Sequence, residues 1–167
     1  MPVMTLIKKG IDDQPVLFAG AASGILIIAA LLFEHVGGLA PCKLCLTQRL
    51  PHYVMIGVAI ISLIIPRPQF LWRLFGAMML GLTALVGLQH IGVEQKWWQG
   101  PQGCSANLST GTSLTDLTDS LLATPVIRCD EIAWSLFGIS MAGWNFILSA
   151  ALAFLLVRAT FKTRTSH

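Results

Sequence analysis

Charge is what this sequence has least of. Of 167 residues only 11% are Asp, Glu, Lys or Arg, while 54% are hydrophobic and the mean hydropathy is +0.71. A soluble domain carries about 25% charged residues, so this chain has too few to solvate a globule of its size. It reads instead as an integral membrane protein, one compact all-α bundle without separate domains. The net charge of +3 is small and spread between apolar runs, which excludes a nucleic-acid-binding surface. Cysteine is also scarce. The four present fall as a pair three apart, Cys42 and Cys45, and two more far downstream, Cys104 and Cys129, 25 apart. An even count so spaced suggests two pairs.

Four apolar runs are long enough to cross a bilayer, at about residues 16–33, 46–65, 70–91 and 136–157. Residues 16–33 carry no charge at all and are preceded by 15 residues with too little apolar surface to pack, a solvent-side leader. Lys8 and Lys9 before that run, and Leu39-Ala40-Pro41-Cys42 after it, imitate a lipoprotein signal. Pro41 and the three further spans argue against processing. The second run stops at Pro66-Arg67-Pro68, and Pro51 requires that helix to begin close before it or to bend. Gly76, Gly81 and Gly87 give the third run small residues for close helix approach. We therefore expect a single transmembrane domain, 1–167, with loops 34–45 and 92–135 on one side. Within the longer loop, residues 113–123 have leucines on one helical face and a Ser113-x-x-Asp116 capping pattern, and a short interfacial helix is expected there. Trp97, Trp98, Trp134 and Trp144 fit an aromatic belt at the membrane boundary.

Orientation follows from the few basic residues. Lys8, Lys9, Arg67, Arg73, Arg158, Lys162 and Arg164 lie on the side of the termini, against Lys43, Arg49, Lys96 and Arg128 on the loop side. Seven against four predicts both termini in the cytoplasm. All four cysteines then face the oxidising compartment, where disulfides form and persist.

At Pro41-Cys42-Lys43-Leu44-Cys45 the spacing alone leaves open a labile disulfide, a metal half-site or two ordinary cysteines. Arg49, four residues beyond Cys45, and a helix N-terminus would both favour a thiolate. Zinc would ask for a second Cys-x-x-Cys, which is absent, and Leu46 stands where c-type haem attachment needs His. Nor are there methionine-rich loops to support copper handling. No metal site is expected. Redox exchange needs only one pair beside a cation and a second pair able to reach both a soluble partner and the first. A purely structural Cys104–Cys129 disulfide is the plainer alternative.

Pro41-Cys42-x-Leu44-Cys45 with Gln48-Arg49, the Cys104 and Cys129 loop, and Phe137-Gly138-x-Ser140-Met141-x-x-Trp144-Asn145 resemble the disulfide-bond-formation protein B (DsbB) family over nearly the whole chain. The resemblance implies a four-helix oxidoreductase of the bacterial inner membrane. Such a protein reoxidises a periplasmic DsbA-like thiol oxidase and passes two electrons to the quinone pool, ubiquinone or menaquinone. By the same resemblance Cys104 and Cys129 exchange with the partner, Cys104 forming the mixed disulfide. Cys42 and Cys45 stand beside the quinone, Cys45 contacting its ring as a thiolate, and Arg49 binds a quinone oxygen. Some members carry a histidine near the outer end of the third span; here that position holds Gln95, and His90, about one turn earlier, is the substitute. His35 and His52 are weaker candidates. A vitamin K epoxide reductase-like enzyme is the nearest rival, but there the loop cysteines precede a late Cys-x-x-Cys. A membrane protein using Cys42 and Cys45 as metal ligands is the rival of another class.

Overall fold

The computed structural model describes residues 14–66, 68–101, 104 and 127–162. The region assigned to the interfacial helix, 113–123, lies outside them. Four helices carry the fold: α1 (Pro15–His35), α2 (Lys43–Ile64), α3 (Gln69–Glu94) and α4 (Met141–Lys162). All four are long and apolar enough to cross a membrane. Their outer faces present Ile25, Ile28, Ile64, Leu85 and Phe154, an apolar surface suited to lipid and costly in water. α3 packs most extensively on α4, and α2 on both α1 and α3.

Helix ends account for the differences from the expected spans. α2 begins at Lys43 and runs through Pro51 without ending, as membrane helices allow when neighbours support the backbone. Its N-cap is Cys42, whose Sγ accepts the Cys45 backbone N–H at 3.3 Å. α3 extends to Glu94 and closes with Trp97 N–H on the Gly92 carbonyl (2.8 Å) and Lys96 N–H on that of Val93 (3.0 Å). This is a Schellman closure with Lys96, at φ 59°, in the left-handed place usually given to glycine. α4 starts at Met141 rather than near 136. Two short antiparallel strands, β1 (Ser135–Leu136) and β2 (Ile139–Ser140), precede it and turn through Phe137 and Gly138, both at positive φ. Ser140 Oγ then accepts the Gly143 N–H at 3.1 Å and caps α4.

Close approach is decided at Gly20, where an added Cβ would meet the Ala59 side chain of α2, and at Gly92, where it would strike the Trp98 indole. Of the three glycines singled out in the third run, Gly76 faces Met55 and Leu156 and Gly87 faces Phe146, while Gly81 stands in open space. The bundle interior divides in two. Met55, Leu80 and Leu156 anchor an apolar cluster with Val16, Ala19, Val58, Ala77 and Leu152. The other half holds the cysteines and most of the buried polar side chains.

Candidate functional site

At the cysteine end, the α2 N-terminus fixes one pair and the neighbouring loops fix the other. Cys42 and Cys45 are free thiols with sulfurs 2.9 Å apart. Cys104 and Cys129 form a disulfide and are both fully buried. They pack in one cluster with Cys42, Leu44 and Val93. The Cys42 thiol is pulled down from its ordinary value of 9.0 to about 4, first by the hydrogen bond from the Cys45 thiol, with burial opposing and His90 and the Cys45 N–H assisting. Of the two thiols, Cys42 is thus the one favoured as the anion, at the helix N-cap where backbone N–H groups favour negative charge.

Cys45 lines a cavity of about 330 Å³ between α1, α2 and α4. Its walls are apolar, from Leu26, Ile27, Phe33, Leu39, Trp134 and Met141, interrupted by Arg49, Gln48, His52, His90 and Asn145. Arg49 donates through Nη1 to Glu34 Oε2 of α1 at 2.5 Å and through Nη2 to the Ala30 carbonyl at 3.4 Å. Its charge is thus balanced from within the bundle, a pairing not expected from the sequence. The Trp134 ring lies 4.8 Å from that of Phe33, and Trp144 Nε1 donates to the Leu136 carbonyl at 3.3 Å. Gln95 is the exposed C-cap of α3 and lies outside the cavity lining; His90, one turn earlier, is inside it. His35 is exposed, with Nδ1 3.1 Å from the Leu31 carbonyl.

Behind the cavity runs a chain of buried polar side chains that sequence reasoning missed. His90 Nε2 stands 3.6 Å from Cys42 Sγ, and its Nδ1 stands 2.8 Å from Gln48 Nε2. Gln48 Oε1 accepts from Asn145 Nδ2 at 2.6 Å, and Asn145 Oδ1 stands 2.9 Å from His52 Nε2. His52 Nδ1 reaches Ser23 Oγ at 3.2 Å, while Thr83 donates to the Gln48 carbonyl at 2.9 Å. Each helix contributes at least one member. Glu94 closes the outer end, with Oε1 3.8 Å from His90 Nε2 and Oε2 accepting from Ser140 at 2.5 Å. Buried polar groups must be satisfied this way or destabilise the fold. The one available signal was Gln48, His52 and Met55 falling on a single α2 face at helical spacing.

A dithiol with Cys42 buried and Cys45 on a cavity wall, beside a disulfide at one end of a four-helix membrane bundle, defines a multi-pass thiol–disulfide protein. The family model for disulfide bond formation protein DsbB matches residues 13–159, and the chain belongs to that family. Disulfide bond formation protein B of Verminephrobacter eiseniae is 32% identical over 139 residues, covering 79% of this chain and 76% of that protein. The protein of the same name from Saccharophagus degradans is 32% identical over 140 residues, 79% and 81% of the two chains. Disulfide bond formation protein B 2 of Pseudomonas aeruginosa is 29% identical across 98% of this chain and all of its own length. No solved structure matches. The role is accordingly an oxidoreductase-type one in disulfide bond formation.

Proposed function

We infer that this chain reoxidises a soluble, periplasmic DsbA-like thiol oxidase and hands the two electrons to a membrane quinone, ubiquinone or menaquinone. We place it in the bacterial inner membrane as a single transmembrane domain with both termini in the cytoplasm. The observation that carries the reading is that Cys45 and Arg49 share one apolar cavity while Cys42, behind Cys45, packs against the Cys104–Cys129 disulfide. The cavity suits a flat apolar ring with two carbonyl oxygens, because its polar groups are few and include donors at Arg49. A quinone there supplies a sink for two electrons and two protons.

This chain's residues do the rest by thiol–disulfide exchange. A thiolate of the reduced partner attacks Cys104, and Cys129 leaves as a thiolate. The second partner thiol then releases Cys104, so the partner gains a disulfide and this chain gains two electrons and two protons. Exchange with the Cys42–Cys45 pair in its disulfide form restores the Cys104–Cys129 disulfide and leaves both electrons and two protons on Cys42 and Cys45 as the dithiol at the cavity wall. Since Cys104 and Cys129 are buried, attack by a soluble partner first requires local opening over them. Cys42 next to the N-cap holds negative charge, and His90 Nε2 at 3.6 Å is placed to exchange a proton with it. Arg49 keeps N–H groups beyond its bond to Glu34 and can donate to a ligand oxygen on which charge develops.

Purified protein, reduced thioredoxin-like partner and added quinone test this. Quinone-dependent oxidation of the partner is expected, and partner oxidation that proceeds equally without quinone would overturn it. Reporter fusions after residues 68, 115 and 167 test the orientation, and a reporter active in the cytoplasm at 115 would reverse it.

A further inference from the structure

Only one Cys-x-x-Cys is present, yet the fold brings ligands of other types to it. Cys42 Sγ, Cys45 Sγ and a ring nitrogen of His90 all lie within 4.8 Å of one another. A tetrahedral zinc ion, with Zn–S about 2.3 Å and Zn–N about 2.0–2.1 Å, sets sulfur and nitrogen ligands roughly 3.6 Å apart. The observed Cys42 Sγ to His90 Nε2 distance is 3.6 Å. Two thiolates on the same ion stand roughly 3.8 Å apart, so the 2.9 Å between the two sulfurs must open by under one ångström. Turning the Cys45 side chain, on the cavity wall, accomplishes that.

The nearest further donor stands beside the histidine, outside that group of three, and would have to swing toward the sulfurs to ligate. Glu94 Oε1 is 3.8 Å from His90 Nε2 and its other oxygen is held by Ser140. The outer shell also has the form metal sites require, in which the far nitrogen of a ligating histidine and the far oxygen of a ligating carboxylate are hydrogen-bonded. Gln48 sits 2.8 Å from His90 Nδ1. For Nε2 to ligate, Nδ1 must carry the proton, and the Gln48 amide must present its oxygen. That reversal is available to the whole chain at once. With both amides turned, Gln48 donates to Asn145 Oδ1, and Asn145 donates to Ser149 Oγ and His52 Nε2, all over distances already within hydrogen-bond reach.

We propose that the reduced Cys42–Cys45 pair, with His90, is a binding site for a divalent cation of the zinc class, its fourth position open to water or to Glu94, present in the dithiol state and erased when the pair becomes a disulfide. A disulfide offers no thiolate, so metal binding and reoxidation exclude each other. A bound ion therefore holds the protein reduced until the ion leaves. The site depends on the arrangement of these three side chains and not on the identity of the quinone or partner.

Cadmium is the probe, because its bond to thiolate gives an ultraviolet charge-transfer band. The full-length chain carrying Cys104→Ser and Cys129→Ser, purified in detergent and reduced, leaves one cysteine pair to observe. Titration should show one Cd²⁺ per chain, with the band lost on oxidation to the Cys42–Cys45 disulfide. Adding His90→Ala removes a ligand and should weaken binding by more than the about 10–100-fold that loss of an outer-shell partner costs. Equal affinity in His90→Ala, cadmium binding by the oxidised chain, or no binding at all would each overturn the proposal. X-ray absorption at the zinc edge of the His90-containing protein needs no change at that residue. It should show two sulfur ligands with the outer-shell scattering of one imidazole, and a spectrum without imidazole would overturn the site even if a dithiol bound the metal.

Discussion

The two halves of the bundle interior use the same four helices for opposite ends. Around Met55, Leu80 and Leu156 each helix contributes apolar side chains that need only shape to fit. Around Gln48, His52, His90 and Asn145 each contributes polar side chains that need a specific partner. A change in the first half loosens the fold and leaves the chemistry as it was. A change in the second leaves a buried donor or acceptor without its partner and reaches the cysteines. Stability and reactivity are thus separated along the bundle axis, and the separation can be attacked from either end.

The largest effect is expected at the reactive end. Cys45→Ser should abolish quinone-linked turnover while Cys104 still forms one mixed disulfide with the partner, which single-turnover trapping would reveal. Continued steady turnover would remove Cys45 from the path. From the other end, Leu80→Ala, at a fully buried site, should lower stability by about 2–5 kcal/mol. Its apparent quinone Michaelis constant should stay at the wild-type value. Thermal unfolding in detergent beside quinone-titrated turnover measures both, and a shifted quinone dependence would show that the halves are coupled.

Arg49 is expected to sharpen the comparison. Arg49→Ala should lose about 1.5–3 kcal/mol of interaction, or roughly one to two decades in quinone efficiency, the order for a hydrogen bond involving a charged group. Lysine should rescue only part, since it keeps the charge without the planar fork. An unchanged quinone dependence would make the residue an anchor between α1 and α2.

A pH titration reads the Cys42 environment. Its folded value, about 4, lies below the ordinary 9.0, so the reduced fold gains stability from this group. That contribution is fully present above pH 9, shrinks as pH falls between the two values and is gone below about 4. The thiolate absorbance of the reduced protein should accordingly persist from pH 8 to 5 and fade near 4. Fading near 9 would mean that the Cys45 hydrogen bond does not hold the anion. The smallest effect belongs to the closing turn of α3, two residues beyond Glu94. Lys96→Gly relieves a left-handed residue and should stabilise the protein by about 1 kcal/mol, seen as a small rise in unfolding temperature with unaltered turnover.

Much of this was legible in the sequence. Runs of apolar residues gave the four spans because a bilayer demands length and hydrophobicity, and both can be counted. The ends were less legible. The Schellman closure at Lys96 and the hairpin through Phe137 and Gly138 depend on backbone angles in residues of no special turn type, apart from Gly138. Cys42, Cys45 and Arg49 were visible because they lie within eight residues of each other. Gln48, His52, Thr83 and Asn145 come from three helices, and nothing local to any of them announces the others. A membrane helix is apolar all round, so its inward face carries little periodic signal to separate it from the lipid-facing one. The Glu34 partner of Arg49 escaped notice for the same reason, being 15 positions away on another helix.

That ion pair has an evolutionary consequence. Arg49 without Glu34 would hold an unbalanced charge on the wall of an apolar cavity, so a change at 34 should be tolerated poorly while Arg49 remains. Reversing the pair would keep the charges matched yet move the cation from α2 to α1, away from Cys45. Neutralising both would leave no unbalanced charge but would also take the donor from the cavity, so a lineage that uses Arg49 there is expected to keep the pair. Position 34, unremarkable in the sequence, is held in place by what position 49 must do.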